Sequence, residues 1–123
     1  MHRRRVVRFT HPTVMSRYFP TPDEFGRHTI FGAIRIRTCA GDNFQFSLVD
    51  IPAGGVVETH SHPNEQMGLV LEGELHFTIG DETKTLHAGD VFRIPGGVPH
   101  SVVAGDKPVK ALDVFYPIRD EYR

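Results

Sequence analysis

Apolar residues recur at every second position over much of the chain, the period of a strand with one dry face. Ile34-Arg35-Ile36-Arg37 alternates strictly. Gly41-Asp42-Asn43 turns the chain. Phe44, Phe46 and Leu48 then share one face of the next strand, and Gln45 and Ser47 share the other. Leu75, Phe77 and Ile79 alternate with Glu74, His76 and Thr78 ahead of a hairpin turn at Gly80-Asp81-Glu82. Val91 to Ile94 is a short strand, and Pro108 to Phe115 closes the set. Many short strands punctuated by glycine and proline predict an all-β sandwich or closed barrel. The one helical signal is about a turn long, around Pro22 to Phe25, with Thr21 placed to cap and Pro22 at the first position.

Two segments break the alternation. Met67 to Leu71 is apolar without polar interruption. In the last strand Val109, Ala111 and Phe115 take one face while Leu112, Val114 and Tyr116 take the other. A barrel wall needs only one dry face, so a second one predicts cover by another subunit, most simply in a two-fold homodimer. Asp113 lies on the face of Ala111 and Phe115. A carboxylate on an apolar face is costly unless it has a partner or a task, which makes Asp113 a candidate acid–base group.

Composition narrows the class. A chain of 123 residues, 39% of them hydrophobic, suits one domain with a real core. We read residues 1–123 as a single domain, with a barrel over about 30–118 and an N-terminal arm over 1–29. No run is long and apolar enough to span a membrane. The lone Cys39 forbids an internal disulfide and suits a reducing cytoplasm. A net charge of −1 gives no electrostatic case for nucleic acid. The basic start His2 to Arg5 lacks a following apolar region and reads as a solvated terminus rather than a signal peptide.

The candidate chemistry sits in two segments, Gly54-x5-His60-x-His62-x3-Gln66-x6-Gly73 and Gly89-x5-Pro95-x-Gly97-x2-His100. His60 and His62 are two apart, so on an extended strand both point to the same side. Gln66 opens the strand after the Pro63-Asn64 turn, and His100 arrives from a distant strand edge. Neutral imidazole is the commonest protein ligand for divalent transition metals, and a site without thiolate that keeps room for water or substrate is the catalytic pattern. His60, His62, Gln66 and His100 are therefore candidate ligands for one divalent transition ion, with Zn, Ni, Fe, Mn and Co all compatible. His2, His11, His28, His76 and His87 have no partner at ligand spacing.

These segments resemble the paired motifs of the cupin family, G-x5-H-x-H-x3-E-x6-G and G-x5-P-x-G-x2-H-x3-N. The resemblance covers residues 54 to 104 and implies a double-stranded β-helix, the jelly-roll barrel. Gln66 replaces the family's glutamate and Ala104 its final asparagine. A neutral amide leaves the full charge of the ion uncompensated, which strengthens it as a Lewis acid for an anionic substrate.

The ending Asp113-x-Phe115-x3-Arg119 and the segment His60-Ser61-His62-Pro63-Asn64-Glu65-Gln66 are similar to those of small cupins that linearise unsaturated uronates. The resemblance implies Asp113 and Arg119 as catalytic groups, Phe115 as a pocket wall, and a small anionic substrate. Arg119 would clamp the carboxylate and Asp113 would move the proton. Two other readings stand beside it. One is a metal-dependent dioxygenase or lyase acting on another small acid, and the other a non-enzymatic binding or sensor protein for a sugar acid. Arg35 and Arg37, opposite Ile34 and Ile36, are either further anion contacts at the barrel mouth or part of a solvated face.

Overall fold

The computed structural model describes residues 16–123. The basic start and His11 lie outside the described residues. Among the described residues ten strands form two antiparallel sheets. They are β1 (Gly26–Ile30), β2 (Ile34–Ala40), β3 (Gln45–Ile51), β4 (Val56–His60), β5 (Glu65–Glu72), β6 (Glu74–Ile79), β7 (Glu82–His87), β8 (Val91–Ile94), β9 (His100–Ala104) and β10 (Val109–Tyr116). One sheet has the order β1-β2-β3-β10-β5-β8 and the other β4-β9-β6-β7. The only helical elements among the described residues are single 3₁₀ turns at Pro22–Glu24 and Asp120–Tyr122. At the first, Pro22 takes the opening position as expected, but the Glu24 carboxylate does the capping, accepting from the Thr21 N–H at 2.6 Å and its hydroxyl at 3.2 Å. The barrel starts at Gly26, inside the stretch read as an arm, because β1 pairs with β2 from Gly26↔Thr38 to Ile30↔Ile34.

Alternation sorts the residues. Ile34, Ile36, Val49, Ile51, Val70, Leu75, Phe77, Ile94, Val102, Val109 and Ala111 are buried and fill the space between the sheets. β3 turns opposite to its most apolar side. Gln45, Ser47, Val49 and Ile51 are buried, while Phe46 and Leu48 are only half-buried on the outside. The parity of Val49 and Ile51 wins over that of Phe46 and Leu48, so two polar residues enter the barrel. The outer face of β5 and β10 leaves Met67, Val114 and Tyr116 exposed beside Phe44, whose ring lies 5.4 Å from that of Tyr116. Arg35 and Arg37 face outwards, and Arg37 approaches Asp50 at 4.0 Å, so they belong to the solvated face.

β10 is the strand on which the interior turns. It lies between β3 and β5, with Asp113 directly opposite Ser47 on one side and Gly68 on the other. Paired residues of an antiparallel ladder point to the same face. Gly68 therefore offers an inward position without a side chain, and the Phe92 ring fills it; a Cβ there would collide with that ring. The neighbour of Asp113 on this side is aromatic rather than polar.

Gly68→Ala forces Phe92 out of its place and should destabilise the protein by about 1–3 kcal/mol. Chemical denaturation measures it, and an unchanged midpoint would mean that the Phe92 ring is not confined by Gly68.

Candidate metal centre and acid pocket

His60 ends β4 and His100 begins β9, and the two are cross-strand partners after a register shift between Val57 and His60. Their rings lie 4.3 Å apart. His62 falls beyond the end of β4 rather than on the strand, and reaches the same point from the following loop. The glycines between β8 and β9 make this approach possible. The Gly97 N–H donates to the His62 carbonyl at 2.8 Å, and Gly96 passes so close to the Pro63 carbonyl that a Cβ would strike it. The two sequence motifs are thus joined by backbone contact.

Each imidazole is oriented in the same way. Nδ1 of His60 donates to the Glu58 carbonyl at 3.0 Å, that of His62 to the Asn64 carbonyl at 3.0 Å, and that of His100 to the Val98 carbonyl at 2.8 Å. A carbonyl accepts only, so each Nδ1 carries the proton and each Nε2 presents a lone pair. The three residues offer ligand atoms within 4.8 Å of one another. Nε2 of His100 is buried and has no hydrogen-bond partner. Nε2 of His62 faces the amide oxygen of Gln66 at 3.0 Å, acceptor against acceptor. Converging lone pairs at such distances repel unless a cation lies among them, and donors on an ion with bonds of about 2.1 Å are spaced in this range. The residues fit a divalent ion.

The electrostatics agree. Burial lowers the pKa of His62, helped by the positive charge of Arg119. Burial also pushes His100 down to about 4. Both rings are neutral near pH 7 and ready to ligate.

His60 and His100 of this group line a cavity of about 70 Å³. That is room for several waters or the reacting end of a small molecule. Asp113, Phe115, Arg119, Gln66, Ser47 and Tyr122 line it. The structure therefore brings His60, Gln66, His100, Asp113, Phe115 and Arg119 to one cavity, with His62 beside it in the histidine group, and leaves Arg35 and Arg37 outside. Phe115 is a wall, 3% exposed, with its ring 5.6 Å from that of His62. The guanidinium of Arg119 lies 4.1 Å from the Tyr122 ring centre and 5.2 Å from that of Phe115, and its Nε–H donates to Glu121 at 2.8 Å. Two rings and a carboxylate hold its plane. Asp113 lines the cavity and is half-buried. Burial pushes its carboxyl up to about 7, against the opposing pull of the Gln66 amide and the Arg119 charge.

Three supporting residues escaped the sequence reading. Gln45, 1% exposed, receives the Arg119 N–H at 3.0 Å and donates to the Arg119 carbonyl at 3.2 Å. Asn64 donates to the Pro117 carbonyl at 2.6 Å while its own carbonyl holds His62. Tyr122 stacks on Arg119, and its carbonyl accepts from the Thr38 hydroxyl. Phe31, at φ 49, sits at the mouth with its ring 5.2 Å from that of His60. His28, His76 and His87 bond to Arg123, Thr85 and Glu74 respectively and take no part in the centre.

Residues 47–115 match the cupin domain family. The chain is a cupin. Over 99 residues this cupin is 34% identical to the H2HPP isomerase of Bacillus subtilis, an alignment covering 79% of the chain and 41% of that protein. The chain thus spans less than half the length of that relative. An RmlC-like cupin from Shewanella frigidimarina superposes with a TM-score of 0.78 at 25% identity, over 88% of this chain and 97% of the other. KdgF from Halomonas superposes with a TM-score of 0.73 at 25% identity, over 82% of this chain and 94% of the other. No helix among the described residues of this cupin is long and apolar enough to cross a membrane.

The raised pKa of Asp113 has a consequence for stability. The folded protein holds this proton up to about pH 7, whereas the unfolded chain releases it near 3.8. The stability that comes with the proton is complete below 3.8 and is lost as the pH rises through 7. Asp113→Asn keeps the shape without the charge. In the metal-free protein at pH 8 it should gain on the order of 2 kcal/mol over wild type, and the gain should vanish at pH 4. A variant less stable than wild type at pH 8 would show that Asp113 is satisfied as a carboxylate.

Proposed function

We propose that this cupin is an isomerase of small unsaturated sugar acids, opening and tautomerising 4,5-unsaturated uronates. One observation carries the reading. A carboxyl group with a pKa of about 7 shares a small cavity with a convergent three-histidine centre and a stacked arginine. A proton carrier, an oxygen-binding centre and a carboxylate clamp are the parts that such a reaction needs. The similarity to KdgF, a uronate-linearising cupin, supports the same class, as does the similarity to an isomerase.

His60, His62, Gln66 and His100 would hold a divalent ion, which would supply Lewis-acid polarisation of a substrate oxygen. Arg119 binds the substrate carboxylate through its guanidinium fork. Phe115 and Tyr122 keep that fork in plane and keep water from it. Asp113, ionised, takes the proton of the anomeric hydroxyl. The C1–O bond becomes a carbonyl, the ring C–O bond breaks, and its electrons pass to the enol oxygen. Asp113 then returns the proton to carbon as the enol becomes a ketone. One proton moves, no electron is gained or lost, and the product is an isomer. A group with a pKa near the working pH serves both transfers.

Turnover is followed by loss of the enol-ether absorbance. Asp113→Asn should retain metal and substrate affinity but lose about 10²–10⁴-fold in kcat. Arg119→Lys should chiefly raise KM, because the carboxylate is held alike in ground and transition states. An Asp113→Asn variant as active as wild type would remove the acid–base role. A wild type that binds uronates and converts none would make this cupin a binding protein.

A further inference from the structure

We infer that Ser47 contacts the substrate, its hydroxyl hydrogen-bonding an oxygen of the acid bound in the cavity; this rests on the sugar-acid reading above. Ser47 lies on β3, is 1% exposed, and lines the cavity. It stands in register opposite Asp113 on β10, so the two side chains leave adjacent strands towards the same space. On its other side it is paired with Thr38, whose hydroxyl is already committed to the Tyr122 carbonyl.

Among the described residues two buried side-chain atoms lack a hydrogen-bond partner, Nε2 of His100 and Oγ of Ser47. Both residues line the same cavity. The first is accounted for by the metal centre. The second is not, because it belongs to another sheet position beside the acid. The remaining buried polar side chains each have a partner: Thr38, Gln45, His62 and Asn64 bond backbone carbonyls, and the Gln66 amide bonds Asp113. A buried hydroxyl without a partner costs stability, and alanine would fill the same place without that cost. Beside Asp113, the same two strands contribute the apolar Val49, Ala111 and Phe115 to this wall. A few polar groups, here Ser47 beside Asp113, set among apolar side chains are how a pocket selects an oxygen-bearing ligand and fixes its orientation.

The test is calorimetric titration of the metal-reconstituted protein with D-galacturonate, a saturated uronate without the enol ether and so not turned over. Ser47→Ala should weaken binding about tenfold or more, and Ser47→Thr should recover part of the loss. The ligand-free melting temperature of Ser47→Ala should equal or exceed that of wild type. Equal affinity in wild type and Ser47→Ala would overturn the inference alone, as would a marked drop in the melting temperature of Ser47→Ala, which marks a structural hydroxyl. No binding to wild type would reject the uronate reading and this inference with it.

Discussion

The site depends on one constraint, the fixing of three imidazole tautomers by backbone carbonyls. Glu58, Asn64 and Val98 each accept from an Nδ1–H, and this alone decides that three Nε2 lone pairs face one another. Lone pairs packed together in a dry place are unfavourable without a cation, so the geometry is a demand for one. Burial lowers the pKa of His62 and His100, which favours their neutral, ligating forms near neutral pH. The cross-strand pairing of His60 with His100 and the contact of Gly97 with the His62 loop exist to hold that convergence.

The same economy governs the acid side of the cavity. Asp113 is set in the central strand of the larger sheet, where Gly68 admits an aromatic ring and leaves the carboxyl poorly solvated. Its raised pKa is a destabilising feature at neutral pH, tolerated where function needs a mobile proton. The segment after β10 is anchored by side-chain amides instead of by strand pairing. Gln45 binds the backbone of Arg119 on both sides and Asn64 binds Pro117, so a guanidinium far along an irregular tail is positioned as firmly as a strand residue.

Much of this was legible in the chain. The spacing of His60, His62, Gln66 and His100, with glycines and prolines at fixed offsets, located the centre because each offset answers to a turn or a close approach. The parity of Asp113 with Ala111 and Phe115 placed it indoors, where the structure has it. β3 was harder. Phe44, Phe46 and Leu48 form the more apolar set, yet the strand follows Val49 and Ile51, so Gln45 and Ser47 turn inwards. Extending the alternation through Ile51 carries that signal. Tyr122 and the cap it forms over Arg119 have no periodic pattern to betray them, since a 3₁₀ turn of three residues is set by tertiary contacts.

The convergent lone pairs are tested most directly by elemental analysis of the purified protein beside His60→Ala. The account predicts about one divalent transition ion per chain in wild type and little in the variant, with both folded by circular dichroism. Equal metal content in the two proteins, or a folded wild type that takes up no ion when dialysed against one, would contradict it.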